Sequence, residues 1–208
     1  MSRIVSDALK RTADVLVAAV VLIVSLPLQV VVAILILARL GRPVVFRQPR
    51  PGRNGEIFTL YKFRTMRPID PHRGVASDED RLTRLGRLLR GTSVDELPTF
   101  WNVLRGDMSL VGPRPLLVSY LDRYTPEQAR RHEVRPGVTG LAQVSGRNAV
   151  DWDERFQLDV HYVDRRSLRL DLWILWRTVA VVVRRDGVSA QGHATMPEFR
   201  PERRDVDA

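Results

Sequence analysis

One unbroken apolar run, Val15 to Leu37 (VLVAAVVLIVSLPLQVVVAILIL), constrains this chain more than any other feature. At about 1.5 Å rise per residue it is long enough to cross a hydrocarbon core of roughly 30 Å. A single spanning helix is the simplest reading, but two features argue for a different path. Ser25, Pro27 and Gln29 sit at the centre of the run. Pro27 lacks the backbone N–H and crowds the preceding turn, so a kink or break is expected at Ser25–Pro27. A carbonyl freed there in lipid needs a partner, and the Ser25 hydroxyl and Gln29 amide are the nearby candidates. The flanks are also basic at both ends: Arg3, Lys10 and Arg11 before the run, Arg39, Arg42, Arg47 and Arg50 after it. A spanning helix usually gathers Lys and Arg on one side only. Basic residues at both ends suit a helix–break–helix that enters and leaves by the same face, and a kinked single span stays open beside it. A cleaved leader is not expected, because the run is too long for a typical apolar leader core and Ala38-Arg39-Leu40 is a poor cleavage site.

Lys and Arg number 33 against 24 Asp and Glu, a net charge of +9. Such a surplus suits an anionic partner: nucleic acid, an anionic bilayer surface or a phosphorylated substrate. Arg far outnumbers Lys, and its planar fork grips phosphate oxygens in pairs, although a GC-rich genome gives the same bias. No cysteine is present, which excludes disulfides and thiolate metal sites. No nucleic-acid motif is present and few aromatics separate the basic residues, so no nucleic-acid partner is expected.

Two further stretches look interfacial. Residues 78–90 (DEDRLTRLGRLLR) put Leu82, Leu85, Leu88 and Leu89 on one helical face and Arg81, Arg84 and Arg87 on another. Residues 168–183 (LRLDLWILWRTVAVVV) are apolar but interrupted by Arg169, Asp171 and Arg177, which suits a core or interfacial helix with Trp173 and Trp176 near headgroup depth. Elsewhere, Val44–Phe46 and Ile57–Phe63 read as short strands around a turn at Pro49–Gly55. Helices are expected near 126–132 and 152–166, a short strand within 135–148, and a loose charged tail after Pro197.

The segment TSVDELPTFWNVLRGDMSLVGPRP carries the candidate chemistry. Ser93 and Glu96 have capping-box spacing, which predicts a helix starting at Ser93 with Asp95 in its first turn, where free N–H groups favour a carboxylate. Acids in first turns are mostly only that. Pro98 lies deep enough to distort the turn. Arg90 precedes the pair, and Gly112-Pro113-Arg114-Pro115 is a stiff turn suited to holding a cation accurately against an anion. Arg50-Pro51-Gly52 and Arg135-Pro136-Gly137, the latter followed by Gly140, Gly146 and Arg147, combine Arg with glycines that let backbone N–H groups approach an oxyanion. Lys62 and Arg64 add charge near the second strand. His72, His132, His161 and His193 lack metalloprotease spacing. Asp95 and Glu96 are the carboxylates that a Mg²⁺ ion shared with substrate phosphates would take.

The stretches FRQPRPG (46–52), YKFRTM (61–66), DELPTFWNVLRGDMSLVGPRP (95–115) and RPGVTGLAQVSGRN (135–148) closely resemble the bacterial polyprenyl-phosphate phosphoglycosyl transferases. The resemblance runs from about residue 8 to residue 199, and the short chain is similar to the small monotopic members. It implies an α+β, mostly helical fold read as a single domain. Residues 12–40 would form a re-entrant membrane helix broken near Ser25 and Pro27, 41–199 a compact catalytic region with a small β-hairpin, and 200–208 a loose tail. The implied mechanism has two steps. Asp95, assisted by Glu96, attacks the β-phosphate of a UDP-sugar and holds the phospho-sugar while UMP leaves. Polyprenyl (undecaprenyl) phosphate then takes the phospho-sugar. Mg²⁺ is implied, with Asp95 as ligand. Lys62, Arg64, Arg90, Arg114, Arg135, Gln143 and Arg147 are the implied substrate- and phosphate-binding residues. The implied setting is the bacterial inner membrane, with the catalytic region on the cytoplasmic side against an anionic bilayer. A homo-oligomer or pathway glycosyltransferases are further candidate partners. Here the break reads Ser25-Leu26-Pro27, where the family pattern has Ser next to Pro, and Thr99 replaces a frequent Gln. Residues 187–199 (GVSAQGHATMPEF) resemble members acting on N-acetylated, often diamino-dideoxy, sugars.

Two competing readings remain. Asp151-Trp152-Asp153 offers a D-x-D that would suit a metal-dependent glycosyltransferase releasing UDP. The charge alone would also suit a non-catalytic basic membrane-surface protein.

Overall fold

The computed structural model describes residues 3–70, 77–146, 150–184 and 198–199. The apolar run forms one long helix, α1, Arg3–Leu40, with Pro27 inside it. It is the one helix among the described residues long and apolar enough to cross a membrane. The break expected at Ser25–Pro27 does not interrupt it. Pro27 denies the Ile23 carbonyl its helical donor, but Ser25 and Gln29 do not replace that donor. Gln29 Nε2 donates to Ser25 Oγ at 2.9 Å, and Ser25 Oγ donates to the Val21 carbonyl at 2.5 Å. Gln29 thus serves Ser25, and Ser25 serves the carbonyl two residues before Ile23.

Both ends of α1 pack on the rest of the protein while its middle is bare. Near the start, Lys10 Nζ reaches Asp171 at 2.7 Å and the Val111 carbonyl at 3.2 Å. Arg11 donates to the carbonyls of Val103 and Leu104, and buried Asp14 accepts the Leu110 N–H at 3.1 Å. These residues, two of them read above as a basic flank, dock the helix. At the other end Val32 and Ile36 are buried in a cluster with Phe63 and Leu89. Between the two ends, Ile23 and Val24 are 72% and 73% exposed.

Strands β1, Val45–Pro51, and β2, Ile57–Phe63, pair antiparallel with Val45 opposite Phe63 and Pro51 opposite Ile57. β1 therefore runs through Pro49, which the sequence assigned to the turn. It has one strand partner, so its other edge needs no ladder donor and tolerates proline. The basic stretch forms two helices rather than one: α2, Asp78–Arg81, and α3, Arg84–Gly91. Ser77 and Asp80 close a capping box at the start of α2. Thr83 caps α3 by accepting the Gly86 N–H at 3.0 Å, and Leu82 between the helices bridges to Met66. A second cap within the leucine pattern ends the first helix there.

α4, Thr99–Arg105, lies against β2. Fully buried Asn102 ties them: its Nδ2 donates to the Thr59 carbonyl at 2.7 Å and its Oδ1 accepts the Tyr61 N–H at 3.1 Å. Thr99 Oγ1 adds a bond to the Tyr61 carbonyl at 2.9 Å. Strand β3, Ser109–Val111, pairs in parallel with β4, Gly137–Thr139. Short α5, Pro126–Ala129, and α6, Leu141–Ser145, precede α7, Trp152–Arg165, and α8, Leu168–Arg184. The main core joins Ala18, Leu60, Val103, Met108, Tyr162 and Ile174, so α1, β2, α4, α7 and α8 share it. α8 buries Ile174 but exposes Leu172, Trp173, Trp176 and Val179. Phe199 does not belong to a loose tail. It is buried among Tyr120, Leu116 and Phe156, and its N–H donates to Tyr120 Oη at 3.1 Å.

Two outcomes are expected. Asn102→Ala strands a strand N–H and a strand carbonyl and should cost about 2–3 kcal/mol in denaturant unfolding. His132 donates through Nδ1 to the Gly52 carbonyl at 3.1 Å, and burial, reinforced by Arg131, pushes its imidazole down to about 4. An unfolded histidine titrates near 6.5, so the unfolded chain takes up a proton between about 6.5 and 4 that the folded protein refuses. Stability from the neutral ring is complete above that window and falls as pH drops through it. Measured against His132→Gln, which keeps every other titrating group, the wild type should lose of the order of 1–2 kcal/mol between melting curves at pH 7 and pH 5.

Candidate active site

Where the sequence predicted a regular helix start, the chain makes a tight turn. Ser93 takes a left-handed conformation (φ 57°) and makes no capping bond. Val94–Glu96 then form a 3₁₀ turn, and regular helix resumes at Thr99 behind Pro98. The Ser93–Glu96 capping box is therefore absent. The left-handed backbone turns the Ser93 hydroxyl away from the N–H it would cap, and Glu96 is drawn elsewhere. Successive side chains on a 3₁₀ turn diverge by roughly 120°, so Asp95 and Glu96 make different direct contacts although both feel Lys62 and Arg114.

Glu96 sits between two cations. Lys62 Nζ, from β2, donates to Glu96 Oε1 at 2.5 Å, and Arg114 Nη2 donates to the same oxygen at 2.9 Å. Burial opposes ionisation of Glu96, but these two partners outweigh it and hold the carboxyl well below the usual range. Arg114 is pushed up in turn, first by Glu96, whereas Lys62 is pushed down by burial with Glu96 opposing. Arg114 is placed by its backbone: Arg131 Nη2 donates to the Arg114 carbonyl at 2.8 Å, and Arg131 is itself fixed by a buried pair with Asp159 at 2.6 Å.

Asp95 is 8% exposed, and among the described residues its carboxylate makes no hydrogen bond or ion pair. Burial and the neighbouring Glu96 push it up to about 6, against Lys62, Arg90 and Arg114. The expectation of a carboxylate eased by a helix start does not hold. Its charge is costly, uncommitted and faced by three cations. Arg90 is aimed by its Nε bond to Thr65 Oγ1 at 3.1 Å, and burial lowers its guanidinium.

The other implied site residues fare differently. Arg64 is buried and bound to the Arg42 and Met66 carbonyls at 2.7 and 3.0 Å, so it braces the start of β1 rather than the carboxylate pair. Arg135 donates to the Gly106 carbonyl at 2.8 Å and neighbours Arg11 and Arg53. Gln143 lies on α6 with both amide atoms enclosed and unpartnered among the described residues. Arg147 lies outside the described residues. The glycines of the 135–148 stretch serve close packing: a Cβ on Gly137 would fall 2.1 Å from the Gly112 nitrogen, and one on Gly140 2.2 Å from the Gly112 carbonyl oxygen. The D-x-D reading fails locally. Asp151 caps α7 by accepting the Glu154 N–H at 2.8 Å, and Trp152 turns into the aromatic cluster. Among the described residues no three His, Asp or Glu cluster as a metal cage. Free Asp95 together with substrate phosphates does fit a Mg²⁺ ion, which needs only one or two carboxylates.

Sequence reasoning missed Asn102, Thr65 and Arg131. No local pattern marks them, because each acts on a segment distant in the chain. Arg50, read from the sequence in an Arg-Pro-Gly turn, lies near Arg114, and burial together with Arg114 pushes its guanidinium down to about 10.

A family profile described as bacterial sugar transferase matches residues 5–185. The chain is 55% identical over 162 residues to EpsL, an uncharacterised sugar transferase of Bacillus subtilis, covering 77% of this chain and 80% of that one. It is 42% identical over 197 residues to a UDP-glucose:undecaprenyl-phosphate glucose-1-phosphate transferase of Caulobacter vibrioides, covering 89% and 74%. It is 41% identical over 200 residues to the undecaprenyl-phosphate galactose phosphotransferase of Salmonella typhimurium, covering 88% of this chain but 42% of that longer one. A profile match across most of the chain, together with this identity, places the protein in the bacterial sugar transferase family, the polyprenyl-phosphate phosphoglycosyl transferases.

Proposed function

We propose that the protein transfers a sugar 1-phosphate from a UDP-sugar to polyprenyl (undecaprenyl) phosphate, releasing UMP, as the first membrane step of glycoconjugate assembly. The observation that carries this reading is the asymmetry of the acid pair: Glu96 is consumed by Lys62 and Arg114, while Asp95 is buried, unpaired and faced by cations. Asp95 is the nucleophile. Its carboxylate oxygen attacks the β-phosphorus, the bond to the UMP oxygen breaks, and UMP leaves with the electron pair. An acyl phosphate now joins Asp95 to the sugar phosphate. A phosphate oxygen of the lipid attacks the same phosphorus and returns the carboxylate. Arg90, Lys62 and Arg114 stabilise charge on the transferring group, already in place before reaction. Asp95, together with the donor phosphates, would hold a Mg²⁺ ion, whose charge would neutralise the diphosphate.

Two features support a re-entrant α1. Both its ends pack on one globular body, whereas a spanning helix would carry one end across the bilayer. Its bare apolar middle and the exposed Trp173 and Trp176 of α8 suit a helix dipping into one leaflet beside an interfacial helix. On this reading the catalytic region faces the cytoplasm. The preference for an N-acetylated, diamino-dideoxy sugar rests on residues 187–199 alone, of which only Glu198 and Phe199 are described. The relatives are named for glucose, galactose or N-acetylgalactosamine.

Membranes containing the protein should release UMP from the right UDP-sugar when given polyprenyl phosphate, and release of UDP would replace this reading with simple glycosyl transfer. Asp95→Asn should lower turnover at least about a thousandfold and abolish the phospho-sugar adduct seen by mass spectrometry. Glu96→Gln leaves two partly buried cations without their anion, so it should lower both turnover, by about a hundredfold, and melting temperature. Chelation with EDTA should stop UMP release, and added Mg²⁺ should restore it.

A further inference from the structure

The first turns of α1 close a second polar cavity, of about 70 Å³, that shares no lining residue with the Lys62, Arg90 and Arg114 cluster. It is roomy enough for several waters, or for one phosphate group. Its charges do not balance. Lys10 is paired with Asp171 at 2.7 Å and Arg166 with Asp7 at 3.4 Å. That leaves Asp14 alone to face three guanidiniums, Arg11, Arg53 and Arg135. Arg11 is held by the Val103 and Leu104 carbonyls and Arg135 by the Gly106 carbonyl, acceptors that aim a guanidinium without neutralising it. Exposed Arg53 makes no ion pair among the described residues. The crowding is felt at Arg135, whose guanidinium is lowered by burial and then by Arg11 and Arg53, against Asp14.

A second observation points the same way. Ser109 is 2% exposed, lines this cavity, and its hydroxyl has no protein hydrogen-bond partner. The one carboxylate buried in the lining, Asp14, already accepts the Leu110 N–H. The cavity therefore offers the Ser109 hydroxyl, the open fork of Arg53 and the N–H groups that Arg11 and Arg135 have not given to carbonyls, a donor-rich set that matches an oxyanion with several acceptor oxygens. Its depth is also defined. Leu16, 61% exposed, lies five residues beyond Arg11, or about 8 Å along the helix. From Leu16 onward α1 presents bare apolar side chains, so if that stretch lies in lipid, as proposed above, the cavity sits at headgroup level.

We propose that this cavity binds a phosphate group, supplied by the headgroup of an anionic phospholipid, and that the bound group clamps the start of α1 to β3 and to the turn before β4. The phosphate chemistry follows from the cavity alone. Only the choice of a lipid source rests on the membrane reading of α1, and neither depends on the catalytic roles of Asp95 and Glu96.

The test uses the whole chain purified in a neutral detergent. It is titrated with short-chain phosphatidylglycerol, with short-chain phosphatidylcholine and with inorganic phosphate, and followed by thermal unfolding and native mass spectrometry. Phosphatidylglycerol should raise the melting temperature and give a one-to-one adduct, with a much smaller effect of phosphatidylcholine. Arg53→Gln, a change at an exposed side chain, should weaken binding about tenfold. Ser109→Ala should weaken it less, and Arg114→Gln should leave it intact, which separates this site from the acid pair. Stabilisation by inorganic phosphate alone, with the same dependence on Arg53, would support the phosphate site and overturn the lipid source. The proposal is overturned if no probe stabilises the wild type, or if Arg53→Gln and Ser109→Ala bind phosphatidylglycerol as the wild type does.

Discussion

A single carboxylate oxygen, Oε1 of Glu96, holds together the segments that build the site. It accepts from Lys62 on β2 and from Arg114 in the turn after β3, joining parts of the chain 34 and 18 residues away. The Lys62 and Glu96 side chains are 19% and 20% exposed and that of Arg114 39%, and charges so poorly hydrated are best tolerated where they neutralise one another. Supporting contacts keep that geometry. Asn102 and Thr99 lock α4 to β2, and the Arg131–Asp159 pair holds the Arg114 carbonyl. Lys62 and Arg114 therefore arrive at Glu96 on preset backbones.

Within that arrangement the two neighbouring acids take opposite roles. Glu96 is fixed as an anion, and its negative charge adds to burial in making Asp95 costly to ionise. Asp95 keeps its oxygens free and looks onto Arg90, Lys62 and Arg114. A poorly solvated carboxylate beside cations already in place suits the nucleophilic role proposed for Asp95, because those cations can follow the charge to the transferring group. The left-handed turn at Ser93 makes the division of labour possible by replacing a regular helix start with a 3₁₀ turn.

The long helix is joined to this body in two chemically different ways. Its first turns use Lys10, Arg11 and Asp14 against carbonyls, an N–H and Asp171, while its last turns use Val32 and Ile36 against Phe63 and Leu89. Polar docking at one end fixes the position along the helix, since each bond has one partner. Apolar docking at the other fills space beneath β2 and so supports the strand that carries Lys62.

Much of this was legible in the sequence. The apolar run, the hairpin, α7, α8 and the acid pair beside Arg90 and Arg114 all follow from local pattern, because apolar spacing, turn residues and a long motif act over a few residues. Tertiary structure decided the rest. The expected capping box at Ser93 is absent because Ser93 turns left-handed and Glu96 is drawn to two partly buried cations instead of a backbone N–H. One predicted basic helix became two because Thr83 caps the second. Arg64 is bound to the Arg42 carbonyl and Arg135 to the Gly106 carbonyl, both away from the acid pair, and Gly137 and Gly140 pack against Gly112, placements that no local pattern announces. The sequence by itself determined which residues could carry charge and where the chain turns apolar. Which charges neutralise each other, and which one is left free to react, depends on contacts between distant segments, and only the packed structure sets those.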